Sequence, residues 1–178
     1  MNFLQQFQKL EPKVIYDGGE RKIIDINGKQ AVSETDKVVI VPYFVQKSGI
    51  LLRYEMLPEF EMRQKGIPSY LTSLVASLPK DADVLTIVKQ SLIDKYGIKI
   101  YNDSHVNICE PIFLTPGQST KYTFVYVLLY DGHFEELEVS DYQRIEFKDK
   151  NAFISTSNIK NCVIYDLITK YSIDYLKT

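Results

Sequence analysis

Apolar positions follow helical spacing in three stretches of the chain, and strand-like alternation or short continuous runs in most of the remainder. Phe3, Leu4, Phe7 and Leu10 suit a helix over Asn2–Leu10, which Pro12 stops because its ring lacks a donor and clashes with the preceding turn. KVIYD, Gly18-Gly19 and RKIIDI, ending at Asn27-Gly28, predict a β-hairpin, since these pairs supply the positive φ of tight turns. The run KVVIVPYFV at 37–45 reads as a strand buried on both faces; Lys47-Ser48-Gly49 turns it into a partner strand, Ile50–Glu55. A charged, Pro-bearing loop (Glu55–Pro68) precedes the strand-like SYLTSLVASL. The clearest helix spans Asp81–Gly97. Asp81 or Asp83 caps its start, Val84, Ile87, Val88, Ser91 and Leu92 share a face, and Gly97 fits the left-handed stop. HVNICEPIFL and KYTFVYVLLY predict two long strands separated by Thr115-Pro116-Gly117, and Ser157–Tyr175 predicts a closing helix with Ile159, Val163, Leu167 and Ile168 on one side. Strands interleaved with helices imply an α/β or α+β domain whose sheet is covered by helices.

Composition narrows the function classes. With 178 residues and no internal repeat, the chain fits one domain that buries about 70% of its unfolded surface. Hydrophobic residues at 45% and charged residues at 25% are those of a folded protein. The 21 Lys and Arg against 23 Asp and Glu leave a net charge of −2, so no basic field exists to hold nucleic acid or an anionic membrane. No apolar run reaches the ~18–20 residues of a membrane span, and the start lacks the basic and apolar regions of a secretory signal. Cys109 and Cys162 suit a reducing compartment; the expected location is cytoplasmic.

The order of elements, with the helix ending in Tyr96-Gly97-Ile98, resembles the Nudix superfamily, and within it the ADP-ribose pyrophosphatase branch. Asp36–Tyr43 resembles that branch's first core strand and Ile50–Tyr54 its second. Leu114–Ser119 resembles the Ser-Pro-Gly loop ahead of a substrate-contacting strand. The resemblance runs from about residue 12 to 175. It implies a Nudix-like α/β/α sandwich with a mixed sheet, a C-terminal helix, and an N-terminal β-hairpin arm (1–35) ahead of a core domain (36–178). In that branch the N-terminal region often helps form a dimer, so self-association is expected. The resemblance also implies Arg53, Pro116, Gly117, Gln118 and Tyr122 as candidates for contact with a nucleotide derivative.

The family signature, G-x5-E-x7-R-E-U-x-E-E-x-G-U with U aliphatic, is degenerate in this chain. Its glutamates line one helix face and hold Mg²⁺, which neutralises a pyrophosphate and helps activate water. Anchored on Gly97-Ile98, the first Gly becomes Ala76 and the first Glu Ala82. The Arg-Glu pair becomes Gln90-Ser91 ahead of a retained Leu92, and the Glu-Glu pair becomes Asp94-Lys95. Shifting the loop could bring Asp81 or Asp83 to the first acid position, but no shift restores the helical acids. Asp94 is the one remnant carboxylate, beside an ammonium that repels a metal at contact distance.

Other constellations are weaker. Glu55, Glu59 and Glu61, with Asp94, are the weak candidates for a rebuilt metal site; Arg53 and Arg63 nearby explain the loop acids equally well as surface ion pairs. His105 and Cys109 share a strand face but lack further ligands at zinc spacing, so Cys109 reads as a small buried hydrophobe and His105 as a polar strand start. His133 reads as a turn residue. Thr115–Thr120 could offer amides and hydroxyls to a phosphate or ribose, although a hairpin turn needs the same Pro-Gly pair. Tyr122, Tyr126 and Tyr130 share a strand face and could stack on a base or serve the core. The resulting expectation is a catalytically degenerate Nudix-fold module that binds a protein partner or a nucleotide derivative. It carries no cofactor. Mg²⁺ or Mn²⁺ enters only if the chain is instead a divergent pyrophosphohydrolase recruiting Asp94 with Glu55, Glu59, Glu61 or Glu110. The remaining alternative is a structural subunit of a larger assembly.

Overall fold

The computed structural model describes residues 12–19, 21–47, 49–55, 70–113, 118–138 and 145–149. The expected helices at Asn2–Leu10 and Ser157–Tyr175 lie outside these residues, as does the loop from 56 to 68.

The arm contains β1 (Lys13–Asp17), β2 (Arg21–Ile26) and β3 (Lys29–Glu34), all antiparallel. It is a three-stranded meander rather than the expected hairpin. Asn27 (φ 56°) and Gly28 (φ 80°) supply the two positive-φ residues of a type I′ turn, so the chain returns along β2 instead of leaving the arm.

The main sheet begins with β4 (Asp36–Phe44), β5 (Gly49–Glu55), β6 (Tyr70–Thr72) and β7 (Leu74–Leu78). β4 and β5 pair only beside their turn, Tyr43 opposite Ile50 and Phe44 opposite Gly49. They then splay apart, and the broken strand fills the wedge: β6 pairs with β5, and β7 with β4 from Asp36 to Ile40. Pro42 falls in the stretch of β4 between those two partners, where a missing donor costs no ladder bond on that side. The other side of β4 carries β10 (Tyr122–Leu129) in parallel, so the sheet is mixed as expected. β9 (Val106–Ile108) closes one edge and β12 (Ile145–Asp149) the other.

The long strand expected over 105–114 is cut to three residues plus a bridge from Ile112 to Tyr122. Pro111 explains the break, because it has no N–H for the ladder. The sequence pattern also did not predict β12, or the small antiparallel pair of β8 (Ile98–Ile100) with β11 (Phe134–Glu136).

Helix α1 (Val84–Tyr96) forms where the pattern placed it. Asp83 caps it: the Thr86 amide donates to Asp83 Oδ2 at 2.9 Å and the Thr86 hydroxyl at 2.7 Å. These bonds hold the Asp83 carboxyl below its ordinary range, the hydroxyl contributing most. Gly97 stops the helix in the left-handed region, its amide returning to Ile93 and Leu92. Val88, Leu92 and Tyr96 form the buried stripe, against Val38, Ile40, Leu74, Val125 and Val127 of the sheet. The opposite sheet face carries a second cluster around Val39, Val41, Tyr43, Leu52, Phe124 and Tyr126. Alternation along β4 and β10 thus feeds two cores from two strands, as expected of a sheet buried on both sides. No described helix is long and apolar enough to cross a membrane.

Candidate functional site

The outer side of α1 is the first place to look for chemistry. At about 100° per residue, Lys95, Ser91 and Asp94 fall roughly 60°, 100° and 160° round the same side of the helix from Leu92. This is the face on which the resemblance implies clustered acids. Ser91 is half-buried, whereas Asp94 and Lys95 are exposed. Asp94 is already engaged: Gln90 Nε2 donates to its Oδ1 at 2.7 Å, an i,i+4 bond along the helix surface. Lys95 sits in the last turn, where a cation complements the helix dipole. Mg²⁺ requires near-octahedral oxygen coordination, and a face offering one carboxylate, one hydroxyl and one ammonium does not fit it. Among the described residues, no group of three or more His, Cys, Asp or Glu is placed to hold a metal. The side chains of Glu55, Glu59 and Glu61 lie outside the described residues.

Arg53 lies inside the sheet rather than on a rim. It is 7% exposed, with Thr72 of β6 opposite on one side and Ile145 of β12 on the other, and it is engaged within the fold. Pro116 and Gly117 fall outside the described residues, but the segment that follows them is well defined. Gln118 bridges to Val32. The Ser119 amide donates to Val32 O at 3.0 Å and its hydroxyl to the same oxygen at 3.3 Å. Thr120 is fully buried; its Oγ1 accepts from the Glu34 amide at 3.0 Å and donates to Glu34 O at 3.3 Å. The Lys121 amide donates to Asp36 Oδ1 at 2.9 Å, and Lys37 N to Lys121 O at 2.8 Å.

The Ser119 and Thr120 groups, which by sequence could serve a phosphate or ribose or simply a turn, stitch the arm to the core. Thr120→Val keeps the shape and removes the acceptor of a part-buried amide. It is expected to cost about 1–3 kcal/mol, read by urea denaturation; a change under about 0.5 kcal/mol, typical of an idle surface position, would contradict the stitch.

Tyr122 stands beside this seam and is half-buried against the Phe124 cluster. Burial raises its hydroxyl pKa, and the Glu34 carboxylate adds to the rise while the Arg21 guanidinium opposes it. Arg21 itself pairs with Glu34 across β2 and β3. Tyr126 is a core residue at 6% exposure, so the tyrosine face serves packing at its centre.

Between arm and core the chain leaves a cleft of about 750 Å³. One wall is β2 and β3, with Lys22 and Ser33; the other is the turn ahead of α1, with Lys80 and Asp81; Glu34 and Asp36 lie between. Asp81 occupies the left-handed region (φ 66°), which Asp tolerates better than most residues, and bends the chain from β7 towards α1. Lys22, Lys80, Glu34, Asp36, Asp81, Ser33 and Thr35 thus line the cleft near the N-terminal end of α1; of these Lys22 is paired with Asp17, Glu34 with Arg21, and Asp36 accepts from the Lys121 amide. Periodicity could not reveal this site, because its walls come from residues about sixty apart; Asp81 was the one signal, through its alternative placement at the first acid position.

At the opposite end of the sheet the two histidines meet. The His105 and His133 rings stack at 5.3 Å with 10° between planes, and Tyr130 lies 4.8 Å from His105. Sequence spacing treated them as separate residues; the turn after β10, closed by His133 N to Tyr130 O at 3.0 Å, brings them together. Cys109 is half-buried against the sheet, and burial pushes its thiol pKa up, away from nucleophile chemistry.

No family model matches the chain, and no curated protein does. Among solved structures the chain is similar to one described as the crystal structure of an ADP compounds hydrolase, with a TM-score of 0.64 over 95% of this chain and 96% of that one, at 10% identity. At that identity the likeness speaks for the fold alone: this chain has a Nudix-like α/β fold, with a mixed sheet and α1 packed against one face.

Proposed function

We propose that the chain is a catalytically degenerate Nudix-fold module that binds a nucleotide derivative in the cleft between arm and core, without metal-dependent hydrolysis. The observation that carries this reading is the α1 face, where Ser91, a Gln90-bonded Asp94 and Lys95 occupy the positions a metal site needs for acids. The cleft supports the binding half. Its volume suits a small-molecule site, its carboxylates and hydroxyls suit ribose hydroxyls, and Lys80 suits a phosphate. By its description the solved neighbour acts on ADP compounds, which makes ADP-ribose and adenine dinucleotides the first ligands to try.

The test is calorimetry of the full chain with ADP-ribose, dinucleotides and capped nucleotides in EDTA. Saturable binding whose affinity Lys80→Glu lowers tenfold or more supports the cleft, since losing one charge-assisted contact costs about 1.5–3 kcal/mol. Absence of heat from every ligand overturns nucleotide binding and leaves a protein-partner module.

A further inference from the structure

Most of the carboxylates at the cleft, or just beside it, are already committed within the fold. Glu34 pairs with Arg21, Asp36 accepts from the Lys121 amide, and Asp83 is held by the amide and hydroxyl of Thr86. Asp81 differs from all three. Among the described residues no hydrogen bond or ion pair engages its carboxylate, and none engages the Lys80 ammonium next to it.

The backbone beneath Asp81 adds a second observation. The Ala82 amide donates to Pro79 O at 3.1 Å, closing a four-residue turn with Lys80 and Asp81 at its centre. Of these two only Asp81 has a positive φ, 66°, which makes the turn type II. The third position of such a turn favours Gly, or Asn, because a Cβ crowds the backbone there. An Asp in this conformation commonly offsets the cost by accepting from a nearby amide. Asp81 makes no such bond, so the turn holds a charged side chain against its own preference. Strain of this kind gathers at ligand-binding sites, where the side chain has work outside the fold.

We propose that Asp81 reads the vicinal diol of a ribose while Lys80 holds the phosphate on that sugar, so that the cleft selects ribonucleotide derivatives over their 2′-deoxy counterparts. This rests on the reading of the cleft as a nucleotide-derivative site and names which part of the ligand meets which residue. An ionised carboxylate only accepts, and its two oxygens suit two neighbouring hydroxyl donors, as an acidic residue serves a ribose in dinucleotide-binding folds. An ammonium only donates, which suits phosphate oxygens. Consecutive Cα atoms stand about 3.8 Å apart, so both side chains reach groups of one sugar phosphate. Charge narrows the ligand further. A bare anion at Lys80 would be repelled by Asp81, and a bare cation at Asp81 by Lys80. A ligand that presents an anion together with neutral hydroxyl donors satisfies both.

The experiment is calorimetry of the full chain in EDTA with ADP and 2′-deoxy-ADP. Wild type is expected to bind ADP about tenfold more tightly, the effect of losing one hydrogen bond to a charged group. Lys80→Gln is expected to weaken both nucleotides alike and leave their ratio intact. Asp81→Gly is expected to bring the ratio to about one. Glycine suits the turn, so this variant is expected to keep or raise the melting temperature, which separates lost selectivity from lost fold. Equal affinity of wild type for the two nucleotides overturns this inference alone and leaves the cleft as a nucleotide site. Absence of binding by either overturns both. A ratio that survives Asp81→Gly also overturns the inference. So does a fall in that variant's melting temperature of more than about 4 °C, which would assign the side chain to the turn itself.

Discussion

Leu92→Ala is expected to lower the unfolding free energy by about 2–5 kcal/mol, the range for truncating a fully buried leucine. Leu92 has no exposure and lies between Val88 and Tyr96 in the stripe that joins α1 to the sheet. Its loss opens a cavity against Val125 and Val127, which β10 holds rigidly between β4 and β9. Rigid surroundings relax little, which puts the cost towards the upper end. Against a typical total of about 5–15 kcal/mol, this is a large share. Chemical denaturation with an unchanged slope checks it. A loss under about 1 kcal/mol would mean that α1 does not depend on the sheet in the way described.

The second large effect is a gain. Ser91→Glu with Lys95→Glu places three carboxylates, with Asp94, on one side of α1. Wild-type protein is expected to show no Mn²⁺ binding through this face. The double variant is expected to bind Mn²⁺ with roughly millimolar affinity, at the weak end for oxygen-ligand sites. Without metal the variant is expected to be less stable, because like charges at i,i+3 and i,i+4 repel and the last-turn cation is lost. Added Mn²⁺ is expected to raise its melting temperature, since a ligand that binds only the folded state stabilises it by mass action. Electron paramagnetic resonance counts the bound ion directly. Equal Mn²⁺ binding by wild type would show that acids elsewhere supply the site, which favours the divergent hydrolase.

Helix α1 and strand β4 were legible in the sequence for physical reasons that act locally. Asp83 and Gly97 are chemically suited to the two ends of a helix, and the apolar run at 37–45 has one comfortable environment. The third arm strand was not legible. KQAVSE is polar and half-exposed, so nothing but the Asn27-Gly28 turn announces it. The wedge of β6 and β7 depends on β4 and β5 parting, a non-local event that Pro42 permits but does not dictate. Of the candidate site, the make-up of the α1 face, with Ser91, Asp94 and Lys95, could be read by spacing alone, because a helix fixes which residues share a face. The cleft, the stacked histidines and the engagement of Ser119 and Thr120 with the arm could not, since each joins residues far apart in sequence. A hydroxyl beside Pro-Gly looks the same on paper whether it meets a phosphate or Glu34.

The balance of 21 basic and 23 acidic residues takes on meaning only through such placement. The acids near the cleft stand beside lysines, and Asp94 on the α1 face is tied to Gln90. The stripe of Val88, Leu92 and Tyr96 that packs the helix lies on the opposite side from Gln90 and Asp94, so the fold does not depend on what chemistry those positions carry.

The most direct measurement is turnover of ADP-ribose, dinucleotides and capped nucleotides by the full chain with millimolar Mg²⁺ or Mn²⁺, followed by release of the nucleoside monophosphate. The expected result is no product above a protein-free control. Product formation that disappears in Asp94→Asn would contradict the account and establish a working metal site on α1.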